Sequence, residues 1–465
     1  MITETLKANP LGYEKIGRLI IRFSTPAIAS NVLNAVYNTI DQIFIGNIVG
    51  NEGIAAISVT FPLMTVVGAI GIMIGIGSAS SFNLHQGAGN RDKAEKIAGN
   101  GISMLIVSGL LIAVLALLFL KPLLRLFGAT PEILGLSSEY TTIIAIGLPF
   151  NLLTMGGSML IRADGSPNWA MFSMVSGAVF NIILKLIFLF VLGWGVRGIA
   201  GATVLGQLLS AGVAVAYLAG RMKTVRWSKS SFVVTWSNIK AICALGAAGF
   251  ANQMAMTLVT IVLNNTLRYY GDLSNYGSTV TLGAVGAITR INMIFLSFVI
   301  GLGQGCQPIN GFNYGARNYQ RVRDTLRTAL IINVSIAVTF FALFQIFPLQ
   351  ILSIFGEGSP EYFAFGTRYL RIFLFMTFSN ALQPLASGYF TSTGRAKMGI
   401  FVSLTRQILF LIPLLLLFPL FFGIDGVVYA GPIADCVAAI LSGTFLFREF
   451  KRLNGLIKSG DKLLD

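Results

Sequence analysis

Long apolar runs separated by short clusters of Gly, Pro and charged residues set the pattern of this chain. An α-helix rises 1.5 Å per residue, so about 20 mostly apolar residues cross the hydrocarbon core of a bilayer. Twelve such runs follow one another: 20–46, 53–83, 95–120, 136–163, 168–193, 196–220, 238–268, 279–310, 322–348, 361–392, 396–420 and 425–450. The pattern predicts an all-α integral membrane protein with twelve transmembrane helices. The polar stretch before the first run lacks the short apolar core and cleavage site of a signal peptide.

Composition removes the soluble alternative. Hydrophobic residues make up 55% of the 465 positions and charged residues 11%, against about 25% charged in a soluble protein. The 33 Lys+Arg outnumber the 18 Asp+Glu, giving a formal charge of +15. These cations are unevenly placed. With the N-terminus in the cytoplasm, about two dozen fall on that side, as the positive-inside rule requires. Lys121, Arg125, Arg197, Arg268, Arg368 and Arg371 fall outside. Both termini are therefore expected in the cytoplasm, with the protein in the plasma membrane. Topology and anionic lipid account for the charge without any nucleic-acid partner. Cys243, Cys306 and Cys436 stand singly, and His85 has no companion for metal or nucleophilic chemistry. The sequence supplies no catalytic or metal constellation, so neither an enzyme nor a bound cofactor is expected.

The chain also repeats itself. Ile74–Gly77 precedes Gly87-Ala-Gly-Asn90, and Ile300–Gly303 precedes Gly315-Ala-Arg-Asn318. Asn151 matches Asn380, Gly165 in RADGSP matches Gly394 in TSTGRA, and GVRGI (195–199) matches GIDGV (423–427), at an offset of 226–229 residues. An even number of spans per copy keeps the second copy in the orientation of the first. Two parallel six-helix lobes follow: 1–220 as the N-lobe, 221–237 as a basic cytoplasmic linker, 238–450 as the C-lobe and 451–465 as a cytoplasmic tail. Duplicated lobes of this kind suit a transporter that handles its substrate near the repeat interface.

Several stretches carry a family likeness across nearly the whole chain. Pro26 followed by YNTIDQIFIG (37–46), GLGQGCQPINGFNYGARNYQRV (301–322), FNIIL (180–184) with GVRGIAGATV (195–204), and GPIAD (431–435) resemble multidrug and toxic compound extrusion (MATE) transporters, particularly their MepA-like branch within the MOP flippase superfamily. The resemblance implies a monomeric exporter of amphipathic, often cationic small molecules, driven by inward flow of H⁺ or Na⁺. The nearest rival is a flippase of a lipid-linked glycan or other anionic lipid precursor.

Charges inside a span are costly and mark function or pairing. Asp41, Lys185 and Thr203 lie about 7, 12 and 10 Å below the outer ends of spans one, five and six at the helical rise. Asn181 is one turn below Lys185, and Tyr37 and Asn38 precede Asp41 by a turn, so the six residues form one expected N-lobe cluster. The resemblance implies an ion or proton site made of the span-one Asp, the span-five Asn, a second span-five Asp and the span-six Thr. Lys185 stands where that second Asp belongs. A fixed ammonium repels Na⁺, which leaves two readings: an Asp41–Lys185 ion pair that opens and closes with protonation, making H⁺ the favoured coupling ion, or a permanent tethered cation that leaves coupling weakened, lost or moved elsewhere. In the C-lobe, Asp435 and Arg290 lie at equal depth and form an expected pair. Asp164, in the RADGSP turn, reads as a solvated loop acid. Met64, Asn151, Met155, Gln253, Met256, Met293, Asn380 and Gln383 are candidates for an adaptable cleft that takes a small amphipathic substrate, with membrane lipids as the other expected partner.

Overall fold

The computed structural model describes residues 9–48, 50–354 and 359–461, and their side chains apart from those at 38–52 and 460–461. The long helices are α1 (Ile16–Ile48), α2 (Gly50–Gly87), α3 (Arg91–Leu118), α4 (Leu134–Ala163), α5 (Pro167–Leu186), α6 (Gly195–Gly220), α7 (Trp236–Asp272), α8 (Ser278–Gly315), α9 (Tyr319–Ile346), α10 (Pro360–Phe373), α11 (Ala396–Leu404) and α12 (Ile424–Asp461). Among the described residues, eleven stretches are long and apolar enough to cross a membrane, α11 counting with its continuation to Phe422.

The remaining span, tenth in order, is divided into Pro360–Phe373, Thr377–Asn380 and Leu382–Ser392. Pro384 has no N–H to donate to the carbonyl of Asn380, four residues earlier, which weakens the helix where it divides. Two further irregularities are π-helical: Ile187–Val191 prolongs α5, and Thr405–Leu411 interrupts the eleventh span after α11.

The repeat landmarks are turns. Asn90 caps α3 by accepting from the Lys93 N–H at 3.2 Å, and Asn318 caps α9 by accepting from the Arg321 N–H at 3.3 Å. The residue before each cap is left-handed, with φ of 76° at Gly89 and 57° at Arg317. Gly165 and Gly394 are left-handed as well, at 86° and 81°.

The chain forms two compact units: Met1–Tyr13 with Val32–Phe250, and Glu14–Asn31 with Ala251–Asp465. In unit 1, α4 is the axle, packing against α2, α3 and α6. Small residues permit the approach: a Cβ on Gly75 of α2 would lie 2.8 Å from the Gly156 Cα of α4, closer than any side chain tolerates. In unit 2, α8 packs on α9, and α12 runs beside the eleventh span.

One clasp recurs with its charges exchanged. In unit 1, Arg197 at the start of α6 donates to both carboxylate oxygens of Glu139 on α4, at 2.9 and 2.7 Å. In unit 2, Arg368 on α10 donates to Asp425 at the start of α12 at 2.9 Å. Thr130-Pro-Glu through Glu139-Tyr to Asn151 aligns with Ser359-Pro-Glu through Arg368-Tyr to Asn380, and GVRGI aligns with GIDGV. The acid of one copy thus corresponds to the base of the other.

The linker is bound closely to unit 1. Asn100 on α3, fully buried, donates to the Ser231 and Val233 carbonyls at 3.1 and 2.9 Å and accepts from the Thr235 N–H and the Asn238 amide at 3.0 and 3.1 Å. Both its N–H bonds and its carbonyl oxygen are fully used. Asp164 corrects the solvated-loop reading. It is 3% exposed and accepts from the Tyr217 hydroxyl at 2.7 Å, the Lys223 and Thr224 N–H groups at 2.8 and 3.2 Å, and the Thr224 hydroxyl at 2.5 Å. Burial pushes its carboxyl above the usual range, opposed by those four donors. A turn position alone suggested solvent; the linker folding back over the turn removes it.

Candidate functional site

The candidate site in unit 1 is built on the last turns of α5. Lys185 is 2% exposed. Its Nζ donates to the Tyr37 hydroxyl on α1 at 3.3 Å and lies 5.4 Å from the centre of the Tyr37 ring. The phenol therefore serves the ammonium both as an acceptor and as a π-face. One turn earlier, Asn181 is 3% exposed, and its Oδ1 meets no donor among the described residues. The α5–α6 seam fixes this amide: a Cβ on Gly206 would lie 2.8 Å from the Asn181 Cβ. Thr203 is half-buried on α6 and donates to the Ile199 carbonyl at 2.9 Å, leaving its oxygen as an acceptor. The structure thus joins Lys185 with Tyr37. Asp41 and Asn38 lie outside the described side chains.

The π-helical turn begins two residues after Lys185. Such a widening shifts the register of everything beyond it relative to a regular helix, and π-turns often occur at functional sites.

In unit 2 the structure corrects the expected partner of Asp435. The acid is 1% exposed on α12, and its Oδ1 accepts from Arg406 Nε in the π-helical segment of the eleventh span; Arg290 is half-buried on α8. Equal depth along two helices fixes neither their neighbours nor their rotation. The π-turn also takes Arg406 out of the 3.6-residue register on which face assignments rest. Asp435 Oδ2 is buried and meets no donor among the described residues.

The other candidates fall in both units. Gln383 is 5% exposed and donates to the carbonyls of Val402 and Ser403, both at 2.9 Å, so it ties the tenth span to α11. Asn380 is 5% exposed in the divided tenth span. Met64 packs against the unit 1 core, and Met155 lies beside Gly71 of α2. Asn151 and Gln253 are half-buried, Met256 receives the Asn252 amide at 3.9 Å, and Met293 is 48% exposed.

A further polar group had no signal in helix periodicity. Glu449 on α12, 2% exposed, accepts from the Tyr389 hydroxyl at 3.0 Å and from Arg452 at 2.9 and 3.0 Å, and is bonded to Arg395. A carboxylate with two arginines and a phenol is well compensated for burial. Its spacing from Arg395 in sequence is what hides it.

Comparison with known proteins places this architecture. The MatE family model matches residues 26–187 and 271–417. The multidrug export protein MepA of Staphylococcus haemolyticus is 26% identical over 441 residues, covering 94% of this chain and 95% of its own. An outward-facing multidrug resistance MATE family transporter of the MOP superfamily superposes with a TM-score of 0.88 at 23% identity, covering 97% and 98% of the two chains. A MOP superfamily transporter from Pyrococcus furiosus, in which reverse polarity of the binding pocket suggests a different function, gives 0.87 at 22% identity over 96% and 98%. The family match extends through both copies of the repeat, and the chain belongs to the MATE family of transporters, in its MepA-like branch.

Proposed function

We propose that this protein exports amphipathic, predominantly cationic drugs or toxins by ion-coupled antiport, with H⁺ as the preferred ion over Na⁺. The observation that carries the reading is the buried Lys185 ammonium held at Tyr37, at the position where the family resemblance places an acid. A fixed cation there disfavours Na⁺ by direct repulsion. Asp41 follows Tyr37 by four residues, one helical turn in sequence. In this reading Asp41 and Lys185 form an ion pair that opens when Asp41 takes up a proton and closes when the proton leaves. Asn181, Thr203, Asn38 and Tyr37 supply acceptors and donors to the two states. Alternating access then exchanges proton entry for drug exit. The protein works as a monomer in the plasma membrane with both termini cytoplasmic, and without a cofactor.

Lys185 also favours a second reading, transport of an anionic substrate such as a lipid-linked glycan, because a desolvated ammonium attracts an anionic headgroup. Uptake of a fluorescent cationic dye into everted vesicles, under H⁺ and Na⁺ gradients imposed separately, decides between the two. A vesicle interior held acidic is expected to drive uptake, and a Na⁺ gradient to leave it at the passive rate. Uptake indifferent to both gradients sinks the antiport reading and favours the anionic substrate.

A further inference from the structure

Unit 2 carries a cavity of about 460 Å³ against α10, wide open at the surface and edged by Leu349 of the short helix Pro348–Ser353. Its wall is apolar, formed by Leu349, Phe363, Ala364 and Ile372, and its polar side consists of Thr367, Arg368 and Arg371. Arg371 follows Arg368 by three residues and Thr367 by four, so it neighbours both on the helix surface. The Thr367 hydroxyl oxygen is buried and has no partner among the described residues. Arg368 is answered by Asp425. No carboxylate among the described residues pairs with Arg371, whose carbonyl accepts from the Gln345 amide at 2.9 Å. The acid nearest on the same helix face, Glu361, lies outside the lining. The cavity therefore has a net positive, hydrogen-bonding side and an apolar floor.

The duplication does not account for this. In the aligned copy, Arg368 corresponds to Glu139 and Arg371 to Thr142, so unit 1 has no cation at either place. Only six cations fall on the face of the chain opposite the basic segments, and two of them line this one cavity.

We propose that the cavity binds an anionic phospholipid from the surrounding leaflet. Its phosphate lies between Arg368 and Arg371 with Thr367 donating, and an acyl chain runs along Leu349, Phe363 and Ile372. Guanidinium forks match phosphate oxygens geometrically, and a membrane lipid supplies the apolar body that a free anion lacks. A 460 Å³ volume lies within the usual range of about 300–1,000 Å³ for small-ligand sites.

Native mass spectrometry of the purified full chain, with phosphatidylglycerol or phosphatidylcholine of identical acyl chains, tests the site. Wild type is expected to retain the anionic lipid about fivefold more than the zwitterionic one, the order one basic side chain contributes at a headgroup. Arg371→Gln should bring that ratio close to one. Ala364→Trp, which keeps both arginines but fills the cavity from an exposed position, should do the same. Arg268→Gln, which removes another cation of that face, should leave the ratio unchanged, and inorganic phosphate should not displace the lipid. A wild-type ratio near one, or a preference that survives Arg371→Gln or Ala364→Trp, overturns the proposal. So does equal loss in Arg268→Gln, which marks general surface attraction, or displacement by phosphate, which marks a free-anion site.

Discussion

Arg317 and Gly89 occupy the same place in the two copies of one turn, and both are left-handed, at 57° and 76°. Arginine reaches that region only against the clash of its Cβ with the carbonyl oxygen, a cost of about 1–2 kcal/mol. Glycine avoids the clash but loses more backbone freedom on folding. Arg317→Gly is therefore expected to stabilise unit 2 by roughly 0.5–1 kcal/mol, seen as a rise in the thermal midpoint in detergent. An unchanged or lowered midpoint means the Arg317 side chain contributes more than its backbone costs. Lys185 belongs to the same scale. Its burial was legible, because an apolar helix surrounds it and an acid was due at its place. Lys185→Met keeps the length of the side chain and removes its charge. The variant should fold and lose at least tenfold of its H⁺-driven efflux, while passive leakage stays constant. Undiminished H⁺-driven efflux in a folded Lys185→Met protein removes Lys185 from the coupling site. The partner of Asp435 was not legible. Depth can be counted along a sequence, but rotation about the axis cannot once a π-turn at Thr405–Leu411 intervenes.

Among the elements, the linker shows what a basic composition does not record: Asn100 and Asp164, far away in the chain, hold its backbone N–H and carbonyl groups and the Thr224 hydroxyl. Asp164 receives four hydrogen bonds. Removing it leaves those donors stranded, which is expected to cost about 3 kcal/mol. Asp164→Ala should accelerate tryptic cleavage at Arg221, Lys223 or Arg226 well before unit 1 unfolds, as followed by gel. Cleavage at the wild-type rate means the Asn100 bonds hold the linker unaided. The divided tenth span is a milder case. Its apolar length was readable and its division was not, because proline is tolerated within many membrane helices when neighbouring groups satisfy the freed carbonyl.

At the scale of the molecule, the repeat could be read from a handful of matched residues, among them the left-handed Gly165 and Gly394 and the caps Asn90 and Asn318. Hydropathy gave the number of spans because bilayer thickness imposes length on every one of them. The compact units themselves join stretches distant in sequence, Glu14–Asn31 with Ala251–Asp465 and Met1–Tyr13 with Val32–Phe250. Apolar length carries no record of which neighbour a helix chooses, since lipid and protein are equally apolar partners. The transport reading likewise rests on a few polar residues within an otherwise interchangeable set of helices.

The exchanged polarity of the two clasps bears on how such helices find one another during synthesis. Glu139 meets Arg197, whereas Arg368 meets Asp425. A chain with two near-copies of every helix can assemble wrongly, with α4 against α12 or α10 against α6. Had both copies kept the same polarity, those mistaken pairs would be as well matched as the correct ones. With the charges reversed, α4 beside α12 sets Glu139 against Asp425, and α10 beside α6 sets Arg368 against Arg197. Each of these two mistaken pairings sets like charges together, so the reversal disfavours exchanging α6 and α12 between the copies.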